Sequence, residues 1–133
     1  MSDAGSTQLR VEAGEQLTHN VVPLLHEIRH GLARLLETAA ATSIDLRSIP
    51  MAPGEEARII RVLGTGEVQA HMTALGPSEI QETRYPGVWL VTHYNSENEV
   101  VGKFIEVCDI PQILKAQTED IREGLAQLTA QLA

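Results

Sequence analysis

Apolar and polar positions alternate along the chain in two rhythms. Behind Asn20, residues Val21, Leu25, Ile28, Leu32 and Leu35 recur at spacings of four and three, with Leu24 and Leu36 widening the stripe. That is the period of a helix that buries one face. Asn20 suits an N-cap, and Pro23 falls in a first turn where its missing N–H costs little. The pattern predicts a helix over 20–38. Ala41-Thr42-Ser43 then leads into Ile44-Asp45-Leu46-Arg47, a short alternating strand stopped by Pro50. Pro53, Gly54, Glu55 and Glu56 mark a second helix start, with carboxylates at the positive end of the dipole. Ala57, Ile60 and Leu63 continue it, and Gly64 caps it.

The period next drops to two. Val68, Ala70, Met72 and Ala74 point one way while Glu67, Gln69, His71 and Thr73 point the other, which predicts a strand with one wet face. Turns at Gly76-Pro77-Ser78, Pro86-Gly87 and Asn95-Ser96-Glu97-Asn98 separate strands over 79–85, 88–94 and 99–108. Parallel neighbours need long crossovers, so these strands form an antiparallel meander. Residues 111–116 make one or two helical turns. A last helix is capped by Thr118, with Glu119 and Asp120 in its first turn and Ile121, Leu125, Leu128 and Leu132 as its buried stripe. The expected fold is α+β and two-layered. It has an antiparallel meander of about four strands plus one additional strand, covered on one face by about three helices. Residues 1–18 have no period and read as a flexible arm before a single domain over 19–133. The pattern does not set the strand order.

Composition narrows the function classes. The chain has 133 residues, room for one core, and carries 10 Lys and Arg against 18 Asp and Glu for a net charge of −8. The cations are scattered singly among acids, which excludes the clustered basic surface a nucleic-acid binder needs. One Cys cannot close an intrachain disulfide, and a reducing compartment is expected. No apolar run is long enough for a membrane span, and Met1-Ser2-Asp3-Ala4-Gly5 does not read as a signal peptide. An acidic cytoplasmic domain is the expectation. With only 3% aromatics its core must be Leu, Ile, Val and Ala.

His26-Glu27-Ile28-Arg29-His30 matches H-E-x-x-H, the zinc-peptidase pattern of two ligands one helical turn apart with a glutamate base. A zinc-dependent hydrolase using His26, Glu27 and His30 is therefore the rival reading. The extended form of the motif fails at Ala33 and Leu36, and Glu37, His71 and His93 offer no distinctive spacing for a third ligand. On the helical wheel His26 and His30 fall roughly 140–180° from the apolar stripe. A solvated helix face is the stronger reading.

Other residues are weighed singly. Cys108 without a partner thiol reads as a small buried hydrophobe. Trp89 is either the central packing residue or an interaction hot spot, and His93 shares its face. His71 stands on the polar side of its strand. Glu79, Gln81 and Glu82 form an acidic edge that either docks an extended peptide or deters strand pairing. Gly64-Thr65-Gly66 lacks the G-K-[ST] ending of a phosphate loop and joins a helix to a strand, so nucleotide binding is rejected.

Several stretches together resemble one family. They are residues 24–30, Ile44-Asp45-Leu46-Arg47-Ser48-Ile49-Pro50, Leu63-Gly64-Thr65-Gly66-Glu67-Val68, residues 76–83, Pro86-Gly87-Val88-Trp89 and residues 104–111. In order and spacing they are similar to the HupH/HyaF hydrogenase expression proteins over about 20–130. The resemblance implies a non-enzymatic accessory role in maturing [NiFe] uptake hydrogenases. It implies a chaperone for the iron–sulfur small-subunit precursor before export, working with a thioredoxin-like accessory protein. Full-length members carry two related halves, and this chain matches one. It is expected either to form a homodimer in imitation of the pair or to do part of the work. The family supplies no catalytic residues, cofactor or metal ligands to carry over. The partner-binding candidates are Glu79, Gln81, Glu82, Trp89 and His71.

Overall fold

The computed structural model describes residues 20–74 and 76–133, so the arm expected over 1–18 lies outside the described residues. The order is α1 (Val21–Thr38), β1 (Thr42–Asp45), a 3-10 turn (Leu46–Ser48), α2 (Glu55–Leu63), β2 (Gln69–Met72), β3 (Ser78–Glu82), β4 (Val88–Tyr94) and β5 (Val100–Val107). A second 3-10 turn (Gln112–Leu114) and α3 (Thr118–Leu132) follow. The five strands form one antiparallel sheet in the order β1-β5-β4-β3-β2. The fold is α+β as expected, a four-strand meander with β1 added beside β5.

The helix-bearing face holds the larger core. Val21, Leu24 and Ile28 of α1, Ile59 and Leu63 of α2, Ile44, Val88, Ile105 and Val107 of the sheet, and Leu46 of the first turn pack together. Fully burying one such side chain stabilises by about 1.5–3 kcal/mol. Gly31 also lies on the buried face, where an added Cβ would sit 3.4 Å from Val107, in ordinary van der Waals contact. Leu36, expected to widen the stripe, is 88% exposed. The buried face runs instead through Leu24 and Gly31, which turns Leu36 outward.

Asn20 does not cap α1 with its side chain. Its Nδ2 donates to the Pro50 carbonyl at 2.8 Å and to Glu55 Oε1 at 2.9 Å, while Ala52 N donates to Glu55 Oε1 at 2.7 Å. Glu55 is buried, so this cluster pins the start of α1 to the start of α2. Gly64 closes α2 at φ 67°, where L side chains are strained.

Three expectations need correction. The polar side of β2 is exposed as expected, at Gln69 and His71, but it is the side that the helices share. The face opposite them is not bare: Ile80, Trp89, Val91 and Cys108 form a second core there, with Ala70, Met72, Phe104 and Leu114 against it. Polar positions gather instead on the helix side of β2 and β3, beyond the reach of the helices. Secondly, β3 is an interior strand between β2 and β4, so Glu79, Gln81 and Glu82 are not an edge. The edges are β1 and β2. Thirdly, the stripe of α3 is not buried: Ile121, Leu125, Leu128 and Leu132 are 58%, 66%, 60% and 79% exposed. Thr118 is the first residue of that helix and not its cap.

Candidate functional site

Paired residues on neighbouring antiparallel strands share a face, so the register decides which candidates meet. His71 pairs with Glu79, Glu79 with Thr92 and Thr92 with Lys103, while Gln69 pairs with Gln81 and Gln81 with Leu90. His71, Glu79 and Gln81 therefore stand together on the helix side of the sheet. His71 Nδ1 lies 3.8 Å from Glu79 Oε2, and Tyr94 Oη donates to Glu79 Oε1 at 3.2 Å. Partial burial and the Glu79 carboxylate push the Tyr94 hydroxyl above its usual range. Tyr94 therefore stays a neutral donor to the carboxylate.

Edge strand β2 carries this patch. Val68 O accepts from Glu82 N at 2.9 Å. By the alternation of an antiparallel ladder, Gln69 and His71 then turn their backbone N–H and C=O groups outward. No Lys, Pro, Asp or Glu lies within Gln69–Met72 to deter pairing with another strand. The segment entering β2 is held in place by Glu82. Its Oε1 accepts from Glu67 N at 3.1 Å and Val68 N at 3.3 Å, and its carbonyl accepts from Gly66 N at 2.7 Å. A Cβ on Gly66 would run into the Thr83 carbonyl and the Glu82 carboxylate. Glu82 is thus a clamp for the edge and lies on the opposite face from Glu79.

Trp89 pairs with Glu82 on that second face and is 6% exposed, with Nε1 donating to the Cys108 carbonyl at 3.1 Å. It is a core residue, out of a partner's reach. Cys108 is buried beside it, and burial with the carboxylates of Glu106 and Asp109 pushes its thiol up to about 11. Little thiolate forms near neutral pH, so it is a poor nucleophile or redox group. Ser78 Oγ and His93 Nδ1 share a hydrogen bond of 2.7 Å, and His93 meets Phe104 edge-on with ring centroids 5.8 Å apart. Both ring contacts are structural. Burial raises the nearby Glu106 carboxyl, and the charge of His93 partly offsets it.

The sequence reading missed a cleft at the other end of the helix side. Arg47, Glu56, Val100 and Lys103 line about 280 Å³ of it. Arg47 Nη1 donates to the Val100 carbonyl at 2.6 Å, and Lys103 Nζ pairs with Glu56 Oε2 at 2.8 Å. The Arg47–Val100 contact bridges 53 positions in sequence, so no local pattern signals it. Tyr94 escaped for a similar reason, since only the β3–β4 register brings it to Glu79.

His26 and His30 lie on the exposed side of α1, as the wheel implies. Among the described residues no group of three or more His, Cys, Asp or Glu is placed to hold a metal ion. The zinc motif therefore lacks a third ligand within the described chain. Gly64, Thr65 and Gly66 join α2 to the clamp of Glu82. No helix among the described residues is long and apolar enough to cross a membrane.

Comparison with known proteins agrees with this architecture. Residues 18–133 match the C-terminal conserved region of the HupH hydrogenase expression protein. The chain is 34% identical over 109 residues to the hydrogenase expression/formation protein HupH of Rhizobium leguminosarum bv. viciae. It is 32% identical over 111 residues to the hydrogenase expression/formation protein HoxQ of Azotobacter vinelandii. Each match takes in 82% of this chain and 39% of the relative, so the chain spans about two fifths of the length of these relatives. A solved structure, the hydrogenase expression protein HupH from Thiobacillus denitrificans, superposes with a TM-score of 0.82 at 37% identity, covering 86% of this chain and 96% of that one. A continuous match over the whole described domain, in sequence and in fold, places the chain in the HupH hydrogenase expression protein family, as a bearer of its C-terminal conserved region.

Proposed function

We propose that the chain acts in hydrogenase maturation as a non-enzymatic accessory protein of the cytoplasm. Its client is the iron–sulfur small-subunit precursor of a [NiFe] uptake hydrogenase, held before export. A thioredoxin-like accessory protein works alongside it. One observation carries the reading: the match of residues 18–133 to a family whose relatives bear the description hydrogenase expression/formation protein. The open edge of β2 supports the mode of binding. An extended precursor segment adds a strand beside Gln69–Met72 through the outward backbone groups of Gln69 and His71, and His71, Glu79 and Gln81 meet its side chains.

Co-purification from cells making the hydrogenase tests this directly. The small-subunit precursor is expected with the wild-type chain, and its absence when other accessory proteins are captured would sink the role. A His71→Pro variant removes an outward N–H without touching the ladder to β3. It is expected to lose the precursor while keeping the wild-type circular dichroism. Retained capture by a folded His71→Pro chain would move the binding surface away from β2.

A further inference from the structure

Every residue of α3 is exposed, and its large apolar side chains are left uncovered. A lone helix of 15 residues is marginal in water when no tertiary packing supports it. Gly124 in its middle weakens it further, and a Cβ there would meet nothing within 4 Å, so no packing among the described residues calls for the glycine. This helix needs a cover.

The spacing identifies the kind of cover. Ile121, Leu125, Leu128 and Leu132 recur at four, three and four, with no apolar side chain larger than alanine beside them in the helix. Helices that pack on sheets bury a wider stripe, as α1 does, whereas a strict two-in-seven seam fits another helix. The charges identify which helix. Taking Leu125 and Leu132 as heptad position a, and Ile121 and Leu128 as d, places Glu119, Asp120 and Glu123 at b, c and f, away from the seam. A chain of net charge −8 has few surfaces where a second copy approaches without setting acid against acid, and this seam is one. All four charged side chains of α3 lie in 119–123, and 124–133 has none. A parallel pair would set the acidic halves of the two copies side by side, with the helix dipoles aligned. An antiparallel pair lays the charged half along the uncharged half and opposes the two helix dipoles.

We propose that α3 docks antiparallel against α3 of a second copy of this chain. Ile121 lies opposite the partner's Leu132, and Leu125 opposite the partner's Leu128. Four such side chains make a stripe of about 400 Å², near the limit of what a soluble monomer leaves bare. Two stripes with their flanks bury on the order of 1,000 Å², the small end of a specific interface. The pair is therefore reversible on dilution. It leaves the β2 edge out of the interface, so it stands or falls separately from precursor binding.

Sedimentation equilibrium of the full chain is the test. A mass of twice 14.5 kDa that falls to 14.5 kDa on dilution is expected. Leu125→Glu with Leu128→Glu should weaken association about a hundredfold by forcing charges into the seam. Both positions are exposed and belong to neither core cluster, and an unchanged thermal melt of the diluted chain confirms the fold. Orientation is read by disulfide trapping with Ile121→Cys and Leu132→Cys chains. Cross-links only in the mixture support the antiparallel pair, whereas cross-links within each variant alone overturn it. A monomer at all concentrations overturns the proposal, and protection of the α3 amides in that monomer would assign the cover to another segment of the same chain. A dimer indifferent to the paired glutamates places the interface elsewhere and overturns it too.

Discussion

Two helices with closely similar sequence rhythms occupy opposite environments. In α1, Val21, Leu24 and Ile28 are no more than 4% exposed, whereas in α3 the four stripe residues are between 58% and 79% exposed. Part of the difference lies in width. The stripe of α1 includes Leu24 beside Leu25, with Leu32 and Leu35 also against the core, and it spreads over a broad arc suited to a sheet. That of α3 is a single seam. The rest lies in what the chain does around each helix. Gly31 faces Val107, the Asn20–Glu55 cluster anchors the start of α1, and β1 follows directly to pair with β5. Among the described residues nothing comparable draws α3 back onto the sheet. Periodicity thus fixes a helix and its apolar face, while the surface that meets the face must come from elsewhere.

The sharpest way to break the comparison is to delete the same atoms from each helix. Ile28→Ala should cost about 2–4 kcal/mol in urea unfolding, through lost burial and the cavity left behind. Leu128→Ala, measured in the diluted chain, should stay within about 0.5 kcal/mol. Similar losses at both sites would mean that α3 packs within its own chain. Next in size is Glu55→Ala, which leaves the half-buried Asn20 amide and the Ala52 N–H short of an acceptor. A loss of about 2 kcal/mol is expected in thermal melts, with smaller damage from Glu55→Gln. If Glu55→Ala were neutral, the anchoring of α1 would have to be sought in apolar contacts alone.

Gly124→Ala should have the reverse sign. The added methyl finds open space, so α3 should gain about 0.5–1 kcal/mol of helix stability. Slower amide exchange confined to 118–132 would report it, with no change in the melt of the domain. Smallest of all is His71→Ala. Its contact with Glu79 is long, at 3.8 Å, and both side chains are about half exposed, so stability should shift by less than about 0.5 kcal/mol. A larger loss would show that the polar patch holds β2 to the sheet, and would weaken its reading as a binding surface.

Much of the fold was legible from local pattern. β4 occupies the predicted 88–94, and α1 ends at Thr38 as the stripe requires. The additional strand beside a four-strand meander also follows from alternation and short turns. Of the candidate site, His71, Glu79 and Gln81 do come together, but Trp89 and Glu82 stand on the other face. A strand alternates its faces in plain view, yet which face meets water depends on neighbours distant in sequence. β3 looked like an acidic edge because Glu79, Gln81 and Glu82 crowd polar side chains into it. It is an interior strand whose polar side lies beyond the helices. The H-E-x-x-H motif shows the converse case, where the wheel alone sent His26 and His30 to solvent and the structure places them there.

By itself the sequence determined the elements, the antiparallel sense of the meander and the apolar faces, because hydrogen-bond periods and turn chemistry act over a few residues. Only the tertiary structure decided that β2 is an open edge, that Trp89 is buried against the Cys108 carbonyl, and that α3 stands uncovered. Those outcomes rest on strand order and on which surfaces compete for burial. Both are properties of contacts between residues far apart in the chain, and no local pattern encodes them.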